Sequence, residues 1–190
     1  MFWSKFMTAT IAQLRKAVER IQCGERFNAG DEAVVSIVTE NQNNSEAHSN
    51  IHWKSMDLLS RREHSYSELK KKLTRRFEGS EVVIESVLCE LQEKNLQSDL
   101  RFTQAYIDMR KKKGFGPIRI RQELKEKGVT LDLIITELQH PNHDWFASLE
   151  IAWNKKFNGL KPESLQARYK QQRFLTYRGF TQDHICMLLS

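Results

Sequence analysis

Nine basic side chains crowd residues 101 to 127 (Arg101, Arg110, Lys111, Lys112, Lys113, Arg119, Arg121, Lys125 and Lys127) against only Asp108, Glu123 and Glu126. So one-sided a run is suited to binding a polyanion, either nucleic-acid phosphates or an acidic protein surface, rather than to forming a solvated face of mixed sign. On a helix, Arg121 and Lys125 share a face, while Arg119 and Glu123 are spaced to pair. Later cations, Lys155, Lys156, Arg168, Arg173 and Arg178, and earlier ones, Arg61, Arg62, Lys70, Lys71, Lys72 and Arg75, are candidates for the same surface. Phe115, Trp153 and Tyr169 are interleaved among them, and such rings serve either as core or as platforms for unpaired bases.

Other chemistries find less support. His140 and His143 offer two metal ligands, but no further Cys, Asp or His at a suitable spacing completes a tetrahedral site, so no metal is expected. Gly114-x-Gly116 lacks the third glycine of a dinucleotide fingerprint, and no G-x-x-x-x-G-K-[ST] string occurs. Ser, His and Asp are present without the spacing of a nucleophile elbow. The expectation is a protein without catalysis or cofactor. Cys23, Cys89 and Cys186 are odd in number and far apart, which fits a reducing compartment, and the last two fall in apolar helical stretches where a buried, inert thiol is expected. Phe2 to Ile21 is broken by Lys5, Arg15, Lys16, Glu19 and Arg20, so neither a membrane span nor a signal peptide is expected. A cytoplasmic monomer follows as the default.

The elements that must position these residues are helices. In 190 residues there are eight Gly and three Pro, and apolar residues recur at spacings of three and four. Ile11, Leu14, Val18 and Ile21 predict one amphipathic helix ending at Gly24, and Ala33 to Thr39 is a lone β-branched run. Glu40 to Asn50 reads as a flexible linker, so residues 1 to 50 are taken as a separate N-terminal extension. Beyond it, Ser65 and Glu68 fit a capping box. Gly116-Pro117 opens a helix that Gly128 ends in the left-handed conformation, and Thr130 is placed to cap the next.

Leu124 to Leu138 matches Leu175 to Leu189 at a spacing of 51 residues. Leu124, Gly128, Thr130, Asp132, Ile134 and Leu138 meet Leu175, Gly179, Thr181, Asp183, Ile185 and Leu189. The shared phrase is a helix-ending glycine, an apolar residue and a threonine at the start of the next helix. One step further back lies Leu73, followed by Arg76-Phe77 with the glycine missing and a residue or two inserted before Ile84. Three copies of about three helices each are expected, at 51–97, 98–143 and 144–190. Units this small bury little alone and are expected to stack into a small solenoid. Basic residues from successive copies would then line one surface.

Four strings within this pattern resemble the RecX family of bacterial regulatory proteins: Leu58-Leu-Ser-Arg-Arg-Glu-His-Ser65 followed by Glu68-Leu69 and Leu73; Asp99-Leu-Arg-Phe102 with Tyr106 and Arg110; Lys113-Gly-Phe-Gly-Pro-Ile-Arg-Ile-Arg-Gln-Glu-Leu124; and Arg173-Phe-Leu175 with Arg178-Gly-Phe180. The resemblance covers Trp53 to Leu189 and leaves residues 1 to 50 outside it. It implies an all-α protein of tandem three-helix repeats, stacked in a curved, elongated solenoid, that binds the RecA recombinase filament on single- or double-stranded DNA. It further implies suppression of that filament's ATP hydrolysis and strand exchange, hence modulation of recombination, DNA repair and the SOS response. Phe77, standing where the other copies carry Gly, departs from the pattern. A general DNA-binding helical protein is the competing reading.

Overall fold

The computed structural model describes the backbone from Ala29 to Ser190 and side chains from Asn44 onward. The helix expected over Ile11 to Ile21, and Cys23, lie outside the described residues. Among those described there are nine helices and no strand. They run α1 (Ala29–Arg61), α2 (Tyr66–Arg76), α3 (Glu81–Glu93), α4 (Asp99–Lys112), α5 (Pro117–Glu126), α6 (Leu131–Leu138), α7 (Trp145–Phe157), α8 (Leu165–Arg178) and α9 (Gln182–Leu189).

The flexible linker is not found: α1 passes through Glu40 to Asn50 without a break, and Ala33 to Thr39 is helical as well. No Gly or Pro falls between Asp31 and Arg61, so nothing forbids helical geometry, and Asn or Ser costs only tenths of a kcal/mol each. The Ser49 and Ser55 hydroxyls donate to the carbonyls of Ser45 and Ile51 at 3.0 and 2.8 Å, so they are satisfied inside the helix. The chain divides at Asn50/Ile51 into two compact units, and the second, Ile51–Ser190, carries every candidate site residue.

That second unit contains three small cores in chain order. Ile51, Leu69, Leu73, Ile84 and Leu88 belong to the first, contributed by the end of α1 with α2 and α3. Phe102, Ile120, Leu124, Ile134 and Leu138 of α4 to α6 belong to the second, and Leu149, Trp153, Leu175, Ile185 and Leu189 of α7 to α9 to the third. Leu73, Leu124 and Leu175 are at most 1% exposed, as are Ile84, Ile134 and Ile185. The repeat visible in the sequence is therefore a repeat of buried positions.

The corners between the second and third helices of each module are built as expected in two modules and altered in the first. Gly128 and Gly179 adopt φ of +77° and +87°, and Val129 and Phe180 tuck into their cores. In the first module Phe77 closes α2 at φ −122°, and the left-handed residue comes two positions later, at Gly79 (φ +78°). The one extra residue before Ile84 is absorbed in that turn.

Two capping expectations need correction. Ser65 Oγ accepts from the Glu68 N–H at 3.1 Å, but the Glu68 carboxylate turns to Arg62 instead of returning to Ser65, because a guanidinium at 2.6 Å offers a charged donor. Thr130 and Thr181 occupy the N-cap positions of α6 and α9, yet neither hydroxyl makes the capping bond. Cys89 and Cys186, expected to be buried, are exposed, since each faces away from its helix's core stripe.

Candidate polyanion-binding seam

The second and third modules meet where the α8 to α9 corner lands on the start of α5. Gly116 N–H donates to the Arg178 carbonyl at 2.9 Å, and Ile118 N–H to the Gly179 carbonyl at 3.0 Å. Two first-turn donors of α5, which have no partner within their own helix, are thus satisfied by the neighbouring module. The approach is so close that a Cβ on Gly116 would stand 2.4 Å from the Gly179 oxygen, and one on Gly179 would stand 2.4 Å from the Arg119 Cβ. Pro117, at the first helical position, needs no donor.

Three guanidiniums gather on one ring at this seam. Arg110, Arg119 and Arg178 lie 3.9, 4.6 and 4.9 Å from the Phe115 centroid. Such contacts are worth about 0.5 to 2 kcal/mol each, depending on desolvation. Arg178 also donates to the Lys113 carbonyl at 2.9 Å and lies over Phe174. Arg119 donates to Glu123 at 3.1 Å and to the Tyr177 carbonyl at 3.3 Å, and lies over the Tyr177 ring. Glu123 takes Arg110, Arg119 and the Tyr106 hydroxyl together. Burial alone would push its carboxyl upward, but those three donors outweigh it and hold Glu123 below the usual carboxylate range. The same burial and the bond to Glu123 push the Tyr106 phenol up to about 12.

Beside the ring cluster, the last turn of α4 and the last turn of α7 place Lys112, Lys113, Lys155 and Lys156 around a cleft of about 210 Å³, with Arg178 at its edge. Gly114, Ile151, Ala152 and Phe174 complete the lining, and no carboxylate is part of it. None of the four lysines pairs with an acid among the described residues. Lysines at helix C-termini are favoured by the carbonyl ends of the helix. The arrangement is an electropositive recess lined by four lysines and one arginine.

The other candidates are dispersed. Arg121 and Lys125 are exposed on α5 with no acidic partner among the described residues. Lys111 turns to His143 Nδ1 at 3.2 Å and the Trp145 ring, so His140-Pro-Asn-His143 is a turn that packs on α4. Lys127 lies over Tyr106, facing the first module. Arg61 and Arg62 are consumed by Asp57 and Glu68, at 2.9 and 2.6 Å. Arg168 and Arg173 are exposed on α8. Of the interleaved aromatics, Trp153 is core, bonded to Gln171 at 2.8 Å; Phe115 is the seam ring; Tyr169 is exposed. The Arg119–Glu123 pair expected from the spacing forms at 3.1 Å, while sequence reasoning missed Tyr177 as a seam residue; the matching Lys-Lys doublets closing α4 and α7 were the available signal for the cleft.

Fold and site together define an all-α protein of tandem three-helix modules with a basic seam. The models for the second and third three-helix domains of RecX match residues 98–135 and 143–189. A Regulatory protein RecX of Pseudomonas entomophila (strain L48) is 43% identical over 135 residues, which cover 71% of this chain and 86% of the relative. One from Pseudomonas tolaasii is 42% identical over the same shares. The crystal structure of RecX from Lactobacillus salivarius superimposes with a TM-score of 0.63 at 18% identity, covering 76% of this chain and 96% of that one. A second crystal structure, of a regulatory protein RecX, gives a TM-score of 0.64 over 92% of this chain and 84% of its own. The chain belongs to the RecX family.

Proposed function

We propose that this protein binds the RecA recombinase filament on DNA and inhibits its ATP hydrolysis and strand exchange, and in that way tempers recombination, DNA repair and the SOS response. The observation that carries the reading is the carboxylate-free lysine cleft at the seam of the second and third modules, in a chain of the RecX family. The protein acts as a cytoplasmic monomer and performs no chemistry of its own. Cations in the cleft meet DNA phosphates or acidic patches of the filament. Inhibition then follows from unequal affinity for two filament states, the one way a ligand can move an equilibrium.

The test is RecA's DNA-dependent ATP hydrolysis with increasing amounts of this protein, beside its binding to the same bare single-stranded DNA at matched salt. Inhibition at concentrations too low to coat the free DNA is expected. Inhibition that sets in only as the DNA saturates would reduce the activity to competition for DNA and leave a general DNA-binding protein in its place.

A further inference from the structure

Helix α8 turns one side inward through Gln171 and Leu175, and its outer side meets Arg119 at Tyr177 and Gln182 at Gln172 and Thr176 but is otherwise open. Leu165, Tyr169 and Tyr177 on that outer side are 73, 68 and 73% exposed. Tyr169, Gln172, Arg173, Thr176 and Tyr177 line one shallow groove of about 570 Å³. The two tyrosines are eight residues apart, so their rings leave the helix about 12 Å from each other along its axis. Arg168, Lys170, Arg173 and Arg178 belong to the same helix, which holds no carboxylate from Leu165 to Arg178.

Cations without acids call for a polyanion, and flat exposed rings call for flat partners. Gln172 and Thr176, between the rings, are bonded to the Gln182 side chain at 3.3 and 3.2 Å, and their remaining donor and acceptor capacity is open to base edges in the groove. A duplex offers phosphates but keeps its base faces stacked, whereas an unpaired strand offers both. Helix α5, one repeat earlier, has Ile118 at the Tyr169 position and Glu126 at the Tyr177 position, so the pattern is peculiar to the third module. Nor is the groove set to receive the corner of a further module. The donors of α5 that receive a corner, Gly116 and Ile118 N–H, correspond to Ala167 and Tyr169 N–H. In α8 the first is taken by Ser164 Oγ at 3.2 Å and the second lies within the helix's own ladder.

We infer that the outer face of α8 is a site for unpaired nucleic-acid bases, with Tyr169 and Tyr177 as stacking platforms and Arg173 between them on the backbone phosphates. The site is separate from the lysine cleft and requires no recombinase.

The test uses the full chain and a fluorescently labelled oligothymidylate, read by anisotropy, with an abasic strand and a duplex of equal length as controls. The oligothymidylate is expected to bind more tightly than either control. Tyr169→Ala with Tyr177→Ala should weaken it about a hundredfold, or about tenfold per ring, towards the abasic level, while Tyr169→Phe with Tyr177→Phe retains it. Because Tyr177 also touches Arg119, the single Tyr169→Ala variant, expected to lose about tenfold, is measured beside the double one. Equal binding of oligothymidylate and abasic strand would overturn the inference. Unchanged oligonucleotide binding by both alanine variants would overturn it too, and if RecA inhibition fell in the same variants the face would belong to a protein. Since this assay contains no recombinase, its failure is distinct from failure of the filament reading.

Discussion

The two junctions of the array are built at equivalent residues but differ in how their charge is balanced. Between the first and second modules, Ser65 Oγ donates to the Lys127 carbonyl at 2.7 Å; one repeat on, Gly116 N–H donates to the Arg178 carbonyl. Gly128 stands against Ser67, and Gly179 against Arg119, one position beyond the Ser67 equivalent Ile118. At the first junction Glu63 holds Arg101 at 2.8 Å, and Glu68 holds Arg62 with Lys127 nearby at 3.9 Å. Shifted by one repeat, those acids become Gly114 and Arg119. The first junction neutralises its cations internally; the second stacks three of them on Phe115 and leaves four lysines with no acidic partner among the described residues. The same architectural contact is thus balanced by acids at one junction and left basic at the other, and Phe115, Lys155 and Lys156, which shift to His64, Gln104 and Ala105, add to the difference.

Removing the contact at the second junction should give the largest effect. Gly179→Val combines a left-handed φ with a collision against the Arg119 backbone, and a loss of about 3 kcal/mol or more is expected in urea unfolding. Gly79→Ala, with a similar φ but no atom within 4 Å of the new Cβ, should lose only about 1 to 2 kcal/mol. Equal losses would show that strain alone, and not the module seam, makes Gly179 necessary.

Charge reversal should separate recognition from scaffold. Lys112→Glu with Lys156→Glu is expected to lower the slope of log affinity against log salt by about two and to weaken filament binding at least tenfold, with unchanged thermal unfolding. Arg61→Gln with Arg62→Gln, whose parents are already paired, should leave filament binding within about twofold of the parent, in keeping with the small worth of exposed ion pairs. Equal losses in the two variants would erase the functional difference between the junctions.

Ser65→Ala removes both the α2 cap and the donor to Lys127, so a loss of about 1 to 2 kcal/mol is expected by chemical denaturation. The smallest effect is a pH dependence. Since Glu123 is held below its unfolded value of 4.5, its contribution is complete above that value and disappears as pH falls through the folded one. Wild type should therefore lose more stability on acidification below pH 4.5 than Glu123→Gln does, measured by thermal melts across that range. Parallel curves would mean that the carboxylate is no part of the seam.

Much of this was legible in the residues. The 51-residue period fixed which leucines and isoleucines are core, and Gly116, Pro117, Gly128 and Gly179 announced their own geometry because few residues tolerate those positions. The long helix through Glu40 to Asn50 was not legible, since weak propensities for Asn and Ser say little once no Gly or Pro interrupts. Within the charge run, linear density could not distinguish Arg119, spent on Phe115 and Glu123, from Lys112 and Lys113, which face the cleft. That division depends on which module each helix end meets, a relation between residues more than 60 positions apart, as Lys113 and Arg178 are.

Arg178 belongs to two structures at once: its backbone and guanidinium fasten α9's corner to α5, and the same side chain borders the lysine cleft. An anion that bound there with unequal affinity for the joined and the parted modules would shift that equilibrium and be shifted by it to the same extent, in a direction set by whether it draws Arg178 away from the Lys113 carbonyl and Phe115.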